Sequence, residues 1–101
     1  MVRHIVMFKF LEEAGGRDKA ENLRLTAEKL TALQGTVPTL KASEVRLNSS
    51  SAPADNFDLV LIADFDSWED LRSYTVHPLH AAVGAFMKDL RESRACVDFE
   101  I

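Results

Sequence analysis

The chain has one cysteine, one tryptophan and one tyrosine, no apolar run of membrane length and no excess of basic residues. A single cysteine, Cys96, excludes an internal disulfide framework and fits a reducing cytoplasm. Its expected place is a small buried apolar position, since the only basic neighbour that would activate a thiol is Arg94. The opening "MVRHIVMFKF" sets Arg3, His4 and Lys9 among its apolar positions. That leaves no stretch for a signal peptide or a membrane span, so no membrane partner is expected. With 12 basic residues against 16 acidic ones, the formal net charge is -4. Nucleic acid is therefore not an expected partner, because a duplex binder needs a basic stripe to displace counterions. Glycine-rich nucleotide loops of the "GxGxxG" or "GxxxxGK[ST]" type are missing, and no serine stands in a "GxSxG" elbow.

What is there is the pattern of one domain over residues 1–101, with enough apolar residues for one core. Residues 2–11 alternate with a period of two and read as a strand. "EEAGG" reads as a turn that ends the pairing. From Asp18 to about Gln34, Leu23, Ala27, Leu30 and Leu33 recur at helical spacing, with Gly35 as the stop. "LKASEVRLN" is a second, more polar strand, and residues 48–56 form a surface loop. "FDLVLIADF", residues 57–65, is the strongest strand. Ser67 then caps a helix, with Asp70 at the capping-box position, that runs to about Val76. After "HP" the helix resumes from Leu79 to about Ser93, and "ACVDFEI" closes the chain as a strand.

That order, βα-ββ-αβ, is the α+β, ferredoxin-like split βαβ arrangement: a four-stranded antiparallel sheet with helices on one face. Helices on one face leave the other uncovered, yet Ile5, Met7, Val60 and Ile62 make that face apolar at its centre. A homodimer packed sheet to sheet, a dimeric α/β barrel, is the expected solution.

The chemistry concentrates in "YTVHPLH", residues 74–80. His80 falls in the first turn of the resumed helix, where the helix N-terminus favours a neutral imidazole, and Gly84 one turn on leaves room beside it. Tyr74 stands at the end of the preceding helix, a phenol able to polarise a carbonyl. His4 interrupts a strand row of Val and Phe, and faces the same interior. His77, before Pro78, reads as a capping or loop residue. His77 and His80 with His4 are the one set that suggests a metal. Pro78 breaks the helix between them and no cysteine cluster or "HExxH" accompanies them, so no metal is expected. Trp68 and Leu71 read as helix-to-sheet anchors that double as pocket walls.

"VRHIVMFKF", "YTVHPLH" and "VDFEI" together resemble the stress-responsive dimeric α/β-barrel (Dabb) family over essentially the whole chain. The resemblance implies a protomer that dimerises through its sheet, with a cavity between sheet and helices. The family includes a plant polyketide cyclase that catalyses an intramolecular aldol condensation without metal or organic cofactor. By its pattern His80 is the general base, Tyr74 holds the developing oxyanion, His4 lines the site, and Asp98 fixes the His80 tautomer. Phe8, Leu61, Ala63, Trp68, Leu71, Val83 and Gly84 are the expected pocket. The plant enzyme lines its pocket with large aromatic residues on the first long helix. "AENLRLTAEKLTAL" has none, so the substrate does not carry over. Three functions follow as expectations: a cofactor-independent enzyme acting on a small apolar or aromatic carbonyl compound, a non-catalytic dimeric stress-response or small-molecule-binding module, and a cofactor-independent monooxygenase.

Overall fold

The computed structural model describes residues 1–101. In chain order the elements are β1 (Val2–Phe10), β2 (Glu13–Ala14), β3 (Arg17–Asp18), α1 (Lys19–Thr31), β4 (Ala42–Leu47), β5 (Leu59–Phe65), α2 (Trp68–Val76), α3 (Pro78–Lys88) and β6 (Arg91–Glu100). The main sheet is antiparallel with order β4-β5-β1-β6, so β1 is central and β6 is an edge. This is the ferredoxin-like fold. Alternation along β1 divides its two faces: Val2, His4, Val6, Phe8 and Phe10 are buried beneath the helices, while Met7 is exposed on the other side. β5 repeats the pattern, with Leu59, Leu61, Ala63 and Phe65 buried.

α1 starts where Asp18 accepts a hydrogen bond from the Glu21 backbone N–H at 2.9 Å. Leu30 and Leu33 of the expected row are buried, but in the first two turns the buried line is Asn22 and Thr26, with Leu23 and Ala27 only partly buried. The polar member has a reason. "EEAGG" is not a simple turn but part of a short hairpin, β2–β3, around Gly15 and Gly16, both at positive φ. Asn22 ties that hairpin to the helix by donating to the Ala14 carbonyl (3.0 Å) and accepting from Arg17 Nε (2.7 Å). A buried amide is tolerable because the hairpin backbone satisfies it.

The last third departs from the sequence expectation. α3 ends at Lys88, and β6 begins at Arg91, four residues before "ACVDFEI". Pairing with the whole length of β1, from Val2↔Glu100 to Phe10↔Arg91, holds the polar "RESR" segment in the strand. Cys96 is accordingly not buried. It faces the helix side opposite Val6, but the helices do not extend over the edge strand, and the thiol is exposed.

On the other face of the sheet, Ile5 pairs with Ile62 and Val97, and Met7 with Val60 and Ala95. Val97 is 56% exposed, and Met7 and Phe99 are exposed beside it. No helix is long and apolar enough to cross a membrane.

Candidate active site

A proline decides the local geometry. The residue before a proline avoids the α region, and His77 is extended (φ -63°, ψ 135°), closing α2 and opening α3. Pro78 occupies the first turn of α3, where its missing N–H costs nothing. In an unbroken helix the Thr75 carbonyl would accept from the Leu79 N–H. That N–H instead donates to His77 Nδ1 at 3.1 Å. The Thr75 carbonyl is thereby free, and His80 Nδ1 lies 3.1 Å from it. A carbonyl can only accept, so Nδ1 carries the proton and Nε2 is left bare. Burial, countered in part by that hydrogen bond, pushes the His80 pKa below its ordinary 6.5, with smaller contributions from His4, Arg94 and His77. The imidazole is neutral at pH 7, with a fixed tautomer and a free lone pair.

Tyr74 packs against His80 with ring centroids 4.4 Å apart and planes tilted by 51°, and against Phe65 at 5.0 Å and 54°. It is 1% exposed, its hydroxyl has no hydrogen-bond partner, and burial raises its pKa to about 12. It is thus a protonated donor at any physiological pH. An unpaired buried hydroxyl costs about 1–3 kcal/mol, the kind of debt a ligand can discharge.

His4 and Asp98 are direct cross-strand partners. His4 Nδ1 lies 2.5 Å from Asp98 Oδ1 and 3.5 Å from Cys96 Sγ. The Asp98 carboxylate therefore orients His4, not His80, contrary to the role implied by resemblance. The backbone carbonyl of Thr75 does for His80 what the carboxylate was expected to do.

His80 and His4 both line a cavity of about 190 Å³, together with Val6, Phe8, Leu30, Leu61, Gly84, Met87, Arg91 and Arg94. His80, Gly84 and Met87 share one face of α3 at helical spacing. A Cβ at Gly84 would meet nothing within 4 Å, so the absent side chain is part of the space. Of the expected pocket residues, Phe8, Leu61 and Gly84 line the cavity. Ala63, Leu71 and Val83 are packed in the core instead. Trp68, at the start of α2, is 39% exposed and does not line this cavity. Tyr74 stands behind His80, outside the lining. Arg91 and Arg94 were missed; the signal for Arg94 was the two-residue alternation Arg94, Cys96, Asp98, readable only once β6 is known to start early, while Arg91 joins that face only through a shift in the β1–β6 register.

The sequence profile of the stress responsive A/B barrel domain matches residues 2–101. No curated protein matches the chain. Among solved structures, a dimeric ferredoxin-like protein of unknown function from Bacteroides fragilis is 33% identical, with a TM-score of 0.87, covering 99% of this chain and 95% of that one. A dimeric ferredoxin-like protein of unknown function from Thermobifida fusca is 26% identical at a TM-score of 0.84, over 99% and 90% of the two chains. A hydroxynitrile lyase from Passiflora edulis, 17% identical over 99% and 92%, shares the fold with a TM-score of 0.82.

Proposed function

Because the chain belongs to the stress responsive A/B barrel domain family, we propose that it is a small cofactor-independent enzyme of cyclase or lyase type. In this proposal it removes a proton from carbon next to a carbonyl. The observation that carries the proposal is His80: neutral, held as the Nδ1–H tautomer by Thr75, and lining a cavity next to an unpaired buried phenol. Nε2 takes the proton as the C–H bond breaks, and the electron pair moves onto the carbonyl to give an enolate. The enolate then attacks a second carbonyl, closing a ring, or expels a group β to it. Tyr74, a donor with no partner in the fold, is the group to hydrogen-bond the developing oxyanion, by a small movement into the cavity. His4, oriented by Asp98, binds the substrate's polar edge. The working unit is a single domain, assembled as a homodimer through the apolar sheet face, in the cytoplasm. The dimeric neighbours support the assembly and the free thiol supports the compartment.

Exchange of α-hydrogens of compact ketones in heavy water, followed by proton NMR, tests the reaction. The wild type accelerates exchange, and His80→Ala lowers the rate by about 10²-fold or more. If ligands stabilise both proteins and neither exchanges, the chain is a non-catalytic dimeric binding or stress-protective module instead.

A further inference from the structure

In a chain of net charge -4, five of the twelve Lys and Arg residues are in ion pairs with carboxylates. Arg3 pairs with Asp64, Arg24 with Glu21 and Glu28, and Arg46 with Glu44, while Arg17 is held by Asn22. Lys19 and Lys41 are also in ion pairs. Arg91 and Arg94 pair with no carboxylate, and both line the cavity that contains His80. No acidic residue lines that cavity, and Asp98, near its rim, is engaged by His4. The ionisable groups facing the space are therefore two imidazoles and two guanidiniums.

Guanidinium stays charged at every working pH, and its planar fork matches a carboxylate. The rest of the wall is apolar: Val6, Phe8, Leu30, Leu61 and Met87. At about 190 Å³ the space lies below the roughly 300–1,000 Å³ of pockets for drug-sized ligands, so its occupant is compact. Charge and apolar wall are also ordered along the sheet. Arg91 and Arg94 stand opposite Phe10 and Phe8, whereas the imidazole of His4 stands nearer the other end of β1, opposite Asp98.

The geometry points to a small carboxylate-bearing carbonyl compound as the ligand, its acid held by Arg91 and Arg94 and its carbonyl turned toward His80. This names the substrate class of the site proposed above, and rests on taking that cavity as the ligand site. It has a chemical consequence. The charge of Arg94 disfavours protonation of His80, so an anion that neutralises it strengthens the base when substrate is present.

The test compares para-acetylbenzoate with para-acetylbenzamide, a neutral isostere, and with para-acetylphenyl phosphate, by calorimetry and ligand-observed NMR on the dimeric or monomeric protein as purified. The acid is expected to bind about tenfold or more tightly than the amide. That preference disappears in Arg91→Gln/Arg94→Gln and weakens in Arg94→Gln alone. It survives in Arg72→Gln, which changes an arginine away from the cavity, and in His80→Ala, in which exchange is slowed as above. The acid, but not the amide, raises the pKa of the His80 ring. Equal binding of acid and amide, or a preference that persists in the double variant, overturns the anion site. A phosphate ester that outcompetes the acid overturns the carboxylate assignment. Because binding is read in His80→Ala as well, the anion site fails or stands separately from catalysis.

Discussion

His80 and Tyr74 carry opposite pH signatures, and both are measurable at single residues. The folded-state pKa of His80 lies below 6.5, so between 6.5 and that value the unfolded chain binds more protons. Its contribution to stability is full above pH 6.5 and is lost as pH falls through the folded pKa. NMR titration of the ring protons should therefore give a midpoint below 6.5, and the acid limb of activity should share it. Tyr74 works in the other direction. Its folded pKa of about 12 exceeds the unfolded value of 10.0, so stability is lost as pH rises from 10 toward 12. The loss is on the order of 3 kcal/mol for so buried a phenol. As the only tyrosine, it can be followed by ultraviolet absorbance, and a midpoint near 10 would show the ring to be solvated in the folded protein.

At the scale of elements, the α2–α3 break is a device rather than a defect. His77 diverts the Leu79 N–H, which frees the Thr75 carbonyl for His80. His77→Ala should cost about 1 kcal/mol as a lost cap. It should also let Leu79 compete for Thr75, so that nitrogen-15 shifts of His80 report a mixed tautomer. An unchanged tautomer would reduce His77 to a cap alone. Gly84→Ala separates stability from function. It should raise helix stability by up to about 1 kcal/mol, because nothing obstructs the new methyl, while ligand affinity falls as the cavity shrinks. Part of this was legible in advance: the break and its capping histidine follow from proline stereochemistry, whereas the roles of Tyr74 and His80 came from the family resemblance. Local pattern is silent on the partner of Asp98, because a cross-strand neighbour depends on register set by residues ninety-odd positions away. It was silent on Arg91 and Arg94 for a related reason. "RESR" has no apolar alternation of its own, and only the length of β1 makes it a strand.

For the whole molecule, the proposed dimer rests on the uncovered sheet face. Ile5, Met7, Ile62, Val97 and Phe99 form adjoining rows without a helix above them, and such a surface favours burial against a second copy. Met7→Lys with Val97→Asp should shift the protein to monomer in sedimentation, and the thermal midpoint of the wild type should rise with concentration while the variant's does not. A variant that remains dimeric would move the interface elsewhere, to the free edge of β6 first. The cavity faces the helix side, so ligand binding in the monomer also tells whether the site needs the dimer at all.

The pairing of β1 with β6 has a consequence in time. His4 and Asp98 are 94 positions apart, so their contact closes one of the longest loops the sequence permits. The β4–β5 hairpin and the helices can form from nearby segments, but β1 must wait for β6 before its exposed edge is satisfied. Such distant pairing is slow, because the entropy of closure precedes any contact that offsets it. During synthesis the chain therefore passes through a stage with most of its core and an open, strand-ready edge beside His4. Competence at the site and protection from misassociation arrive together, in a single late step.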